Sequence, residues 1–145
     1  MTHPRQTIRE AVQKILLNET EAGGNVYMNK MIPPQHENLP EIIIYTKDET
    51  ITMQTNAPRE YKRELDLVIE IMVQANNEVT AQDLLDKIAR QVELLMGKDD
   101  SLLCNTGEAI LTNIHLEYDE SGTSPIGACV MNYNCIYYDT VPARS

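Results

Sequence analysis

The chain has 145 residues, 42% hydrophobic and 23% charged, the balance of a single globular domain that buries a core without disulfides or metals. Its 12 Lys and Arg against 22 Asp and Glu, a formal charge of −10, argue against a grip on nucleic-acid backbone, which needs clustered cations to displace counterions; an acidic surface instead lets DNA slide past, and suits any soluble protein equally. Seven Tyr stand beside no Phe and no Trp, so an aliphatic core is expected, with Tyr at partly wet edges.

Thr2 is placed to cap a first helix whose opening turn accepts Pro4. Ile8, Ala11, Val12, Ile15 and Leu16 recur on one helical stripe, and Gly23-Gly24 reads as the stop. Residues 21–40, with Pro33-Pro34, read as a long connection holding a short strand near Val26 to Met28. After Pro40, Glu41-Ile42-Ile43-Ile44-Tyr45 is an apolar run of strand length. Lys47-Asp48-Glu49 is expected to turn the chain into a second short strand, Ile51 to Gln54.

From Glu64 to Val73 the pattern is clearest. Leu65, Leu67, Ile69, Ile71 and Val73 alternate with Glu64, Asp66, Val68, Glu70 and Met72, a strand with one face on a core. Thr80-x-x-Asp83 resembles a helix-start capping arrangement, followed by a stripe of Leu84, Leu85, Ile88, Val92 and Leu95 with Gly97 as the stop. The spacing then predicts a strand over Ala109 to Tyr118 with Ile110, Thr112, Ile114, Leu116 and Tyr118 on one face. A turn over Ser121 to Gly127 leads to a last strand, Ala128 to Tyr138, where Cys129, Met131, Tyr133, Cys135 and Tyr137 share a face.

These elements predict an α+β two-layer sandwich: a mostly antiparallel sheet of four to five strands with two amphipathic helices on one face. The opposite face, with Glu64, Asp66, Glu70, Asn113, Asn132 and Asn134, is left for water or a polar partner.

No chemistry-bearing motif stands out. His115, Glu117 and Asp119 share one strand face, but adjacent members lie about 7 Å apart and need a neighbouring strand to complete any metal or acid–base site. The row Glu64, Asp66, Glu70 reads as the wet side of a half-buried strand. Arg59, Lys62 and Arg63 form the one basic cluster, set either to pair with a neighbouring subunit or to balance Glu60 and Glu64 locally. There is no GxSxG, GxGxxG or phosphate loop, and His3 and His36 converge with nothing. The seven Met read as packing filler. Cys104, Cys129 and Cys135 contain no CxxC pair; on a strand the last two are about 20 Å apart at ~3.3 Å per residue, so free thiols in a reducing compartment are expected. No signal peptide opens the chain, and no apolar run reaches the ~20 residues of a membrane span.

Several stretches, in order, resemble the lambda-type tail terminator family of long-tailed bacteriophages. They are the first helix, the Pro-led strand Leu39 to Tyr45, the long alternating strand Glu64 to Ile71, the acidic-capped helix Asp83 to Met96, and a closing strand with Tyr133 and Tyr137 four apart. The match covers most of residues 3–139; the chain departs from the family in its Phe- and Trp-free core and in the extra length after Gly24. The resemblance implies one domain over 1–145 that forms a six-subunit ring on the finished tail tube. Such a ring stops tube polymerisation and presents the docking surface for the filled head, with DNA passing through its hole. It implies a virion location in the tail or neck after assembly in the host cytoplasm. Its partners are itself, the tail tube protein and a head-completion or connector protein, with no membrane. It implies no catalytic, cofactor or metal residues. The 46–63 connection becomes an arm toward a neighbour or the tube, with Lys47, Asp48, Glu49, Arg59, Lys62 and Arg63 as interface candidates. The alternatives are another neck or tail-completion ring protein, a stopper or connector, and a small ligand-binding domain or enzyme using His115, Glu117 and Asp119.

Overall fold

A computed structural model describes residues 3–28, 39–56, 58–74, 78–98, 108–119 and 126–141. The expectations for Thr2, Pro33-Pro34, His36, Cys104 and most of the turn after Ser121 lie outside them. The elements are α1 (Pro4–Leu16), β1 (Val26–Met28), β2 (Glu41–Asn56), β3 (Arg59–Gln74), α2 (Glu78–Lys98), β4 (Glu108–Asp119) and β5 (Ile126–Val141). They form one five-stranded sheet in the order β1-β2-β3-β5-β4, antiparallel throughout except for the β1–β2 pair. The α+β class and the predominantly antiparallel sheet are as the pattern predicts.

The start of α1 is capped by His3, whose Nδ1 accepts the Arg5 amide at 3.1 Å, with Pro4 in the first turn. It ends at Leu16, before Gly23-Gly24. Asn18 takes the left-handed region at φ 61°, and its amide donates to the Gly23 carbonyl at 2.8 Å, closing a turn that the glycines alone do not signal. Likewise α2 begins at Glu78, so Thr80 sits within its first turn, and it runs past Gly97 to Lys98. Ala81, Leu85, Ile88, Ala89, Val92 and Met96 are its buried face, with Leu84 and Leu95 packed at the margin.

Alternation on β3 and β5 holds. Leu65, Leu67, Ile69, Ile71 and Val73 are fully buried, and they meet Ile8, Val12 and Leu16 of α1 and the buried face of α2 in one cluster. Cys129, Met131, Tyr133, Cys135 and Tyr137 of β5 continue it. On the opposite face Asp66 and Asn113 are exposed and Glu64, Glu70, Asn132 and Asn134 half-buried. Val68 and Glu41 on that face are fully buried, Val68 with Tyr45 and Asn132 as its cross-strand partners and Glu41 opposite Met72.

Two bulges correct the sequence reading. Lys47-Asp48-Glu49 is not a turn between two short strands, because β2 is one strand of 16 residues. Thr46 pairs with Leu67 and Glu49 with Leu65, so two residues of β2 stand against one of β3. The extra residue moves Glu49 onto the helix-covered face that Ile42 and Ile44 occupy. On β4, Leu111 pairs with Tyr133 and Asn113 with Asn132, so Thr112 is the extra residue. Ile110, opposite Asn134, therefore lies on the open face, and Ala109, Leu111, Ile114, Leu116 and Tyr118 share the helix side.

Candidate functional site

Beyond the bulge, β2, the first half of β3 and the end of β5 continue as a three-stranded arm. Ile51 pairs with Arg63 and that with Tyr137; Met53 pairs with Tyr61 and that with Asp139; Asn56 pairs with Arg59 and that with Val141. Strand length makes it: both hairpin partners run for 16 residues, longer than the helices cover. Residues 51–56 are all exposed. Ile51 and Met53, on the helix side by register, are 49% and 55% exposed, two uncovered apolar side chains on a face that also carries Arg59, Arg63 and Asp139.

At the root of the arm sits a charged cluster. Glu49, its side chain only 3% exposed, accepts from Arg63 Nη1 at 2.6 Å and from the Tyr137 hydroxyl at 2.8 Å. Arg5 Nη1 approaches the same carboxylate at 3.7 Å. Arg63 Nε lies 3.3 Å from Asp139 Oδ2 without hydrogen-bond geometry, an ionic contact only, and the guanidinium stands 5.6 Å from the Tyr61 ring centre. Burial opposes the charge on Arg63, but the hydrogen bond and charge of Glu49 outweigh it and raise its pKa. Burial, then the Glu49 bond and charge, push the Tyr137 phenol up. Burial, reinforced by Arg5 and Arg63, lowers His3.

Of the six arm residues singled out in the sequence, Glu49 and Arg63 are thus engaged with each other inside the chain. Lys47, Asp48 and Arg59 are exposed and Lys62 is half-buried. Sequence reasoning missed Arg5, Tyr137 and Asp139 as partners in the cluster. Tyr137 and Asp139 at period two on one strand were the available signal, but the bulge that delivers Glu49 to them was not legible.

The second feature is a groove between α2 and β4. Asp86, Ala89, Arg90 and Glu93 face Ile114, Leu116 and Cys129, and the groove continues past Met96 beside Leu111 and Tyr133. Burial, with Asp86 and Glu93, pushes the Cys129 thiol up to about 11, and burial, with Glu93, pushes Tyr133 up to about 12; Arg90 in the same groove lies 3.4 Å from Glu93. Ile114 and Leu116 are 41% and 44% exposed.

His115 Nε2 lies 3.0 Å from Glu117 Oε1, both side chains largely in water. The Asp119 side chain is outside the described residues. Among the described residues no group of three or more His, Cys, Asp or Glu is arranged to hold a metal ion, and no helix is long and apolar enough to cross a membrane. Cys129 and Cys135 are free and buried.

No protein-family model and no curated protein matches the chain. A chain in the virion of a native gene transfer agent particle is similar to it at 14% identity and a TM-score of 0.40, over 92% of this chain and 91% of that one.

Proposed function

We propose that this protein is a structural component of a phage-type virion, a tail terminator that acts by assembly and not by catalysis. The whole of 1–145 serves as one subunit of a six-membered ring on the end of the tail tube. The ring stops tube polymerisation and offers a surface to a head-completion or connector protein. The observation that carries the reading is the three-stranded arm, which continues beyond the helices with Ile51 and Met53 half in water. A monomer gains nothing from such a surface, whereas a neighbouring subunit covers it. Lys47, Asp48, Arg59 and Lys62 of the arm are the polar contacts in this reading, and Glu49 and Arg63 hold the arm's root in shape for them. The order and spacing of the sequence patterns support the same family. A chain charge of −10 suits a hole through which DNA slides without specific binding.

Native mass spectrometry over a concentration series, with negative-stain imaging of the protein alone and with tail tubes, tests this. A six-fold ring with a central hole that caps tubes is the expected result. A monomer or dimer under every condition overturns it.

A further inference from the structure

We propose that subunits join edge to edge: the outer edge of β2 in one copy pairs with the outer edge of β4 in the next, so that one sheet runs from subunit to subunit. The inference deepens the assembly reading above and rests on it.

Both edges are open among the described residues. β4 ends the sheet order, with β5 as its one strand neighbour. β1 pairs with β2 only at Ile42, Ile43 and Ile44, which leaves 45–56, 12 of the 16 residues of β2, against the 12 residues of β4. Neither stretch contains the proline that commonly blocks an edge. Unpaired N–H and C=O groups on such edges are a template for another strand.

Direction and face agree. Three successive antiparallel pairings make β2 and β4 antiparallel to each other. A copy displaced sideways with its helices on the same side therefore brings its β2 against β4 in the antiparallel sense. Within one sheet Leu116 stands level with Ile71 and Ile114 with Ile69, whereas Ile51 stands level with Arg63 and Met53 with Tyr61. A slide along the strands by the eight residues of β3 between Ile71 and Arg63 therefore sets Ile51 beside Leu116 and Met53 beside Ile114 on the same side of the joined sheet, as cross-strand apolar pairs require. β1 blocks the near end of β2, so the incoming strand lies toward the arm tip, where those residues are.

Above β4 stand Asp86, Arg90 and Glu93, with Arg90 3.4 Å from Glu93. The arm carries exposed Arg59 on that same helix side. The two edges are different strands, so the contact is head-to-tail and propagates until a ring closes.

The test uses the full chain and two double variants, Ile51→Lys with Met53→Lys, and Ile114→Lys with Leu116→Lys. All four sites are exposed, so the fold is retained, as circular dichroism checks. Sedimentation velocity should show each variant alone weakened in self-association by about tenfold or more. An equimolar mixture should form a heterodimer and stop there, because each variant keeps one good edge and only one complementary contact remains. Hydrogen exchange on the unaltered protein should show amides of 45–56 and of β4 becoming protected as concentration rises. Variants that assemble like the parent, or edges unprotected in the assembled form, overturn the edge pairing and leave the ring reading standing. A mixture in which only one variant pairs with itself overturns the head-to-tail geometry. An unaltered chain that stays monomeric, with and without tail tubes, overturns both.

Discussion

Arg63 donates to Glu49 at 2.6 Å across the β2–β3 hairpin, and the pair exists because a bulge carries Glu49 to the helix-covered face. Two largely buried charges joined at the root of an arm make its geometry depend on both being present.

Removing one partner strands the other. Arg63→Met leaves the Glu49 carboxylate with the Tyr137 hydroxyl and a distant Arg5, and should cost about 3–5 kcal/mol in urea unfolding. Glu49→Leu combined with Arg63→Leu should recover much of that loss, since both buried charges are gone and the Asp139 carboxylate, 27% exposed, keeps its contact with water. A double variant as unstable as Arg63→Met would contradict this account of the pair.

The two apolar classes should behave differently. Leu67 is fully buried among the strand and helix side chains, so Leu67→Ala should cost about 2–5 kcal/mol through lost transfer energy and a residual cavity. Ile51→Ala in the isolated subunit should stay within about 0.5 kcal/mol, as surface changes do. Denaturant midpoints at low protein concentration read both.

Gly127 opens β5 beneath α2. A Cβ there meets Leu85 Cδ1 at 2.9 Å and two Tyr118 ring carbons at 3.3 Å, so the fully buried Leu85 must shift within the packed core. Gly127→Ala should therefore destabilise by about 1–3 kcal/mol as an overpacked core does. Shortening the obstacle with Leu85→Ala in the same chain should make the two changes less than additive.

Alkali should unfold the protein through its buried acids. Burial raises Cys129 from 9.0 to about 11, Cys135 from 9.0 to about 12 and Tyr133 from 10.0 to about 12. The folded state thus holds these protons more tightly, so their contribution is complete below pH 9 and is lost as pH rises toward 12. Chemical denaturation from pH 7 to 11 should show a plateau and then a fall beginning near 9, and Cys135→Val should soften the slope. Stability that climbs across that range would refute the assignment.

The sequence by itself determined the parts ruled by local periodicity. Leu65 to Val73 and Cys129 to Tyr137 alternate because strand side chains point to opposite faces, and Ile8, Val12 and Leu16 share a helical stripe, so the two layers and the greasy face of the sheet follow from spacing alone. Their order along the chain also carried the resemblance on which the proposed role draws. The tertiary structure decided what spacing does not encode. An extra residue at Lys47-Asp48 and another at Thr112 each reverse the alternation, because a bulge sets two residues against one. Those reversals bury Glu49 beside Arg63 and Tyr137, turn Ile110 away from the helices, and line up Ile114 and Leu116 along the groove beside α2. Pairing of distant strands fixes them, and that is a property of the folded sheet.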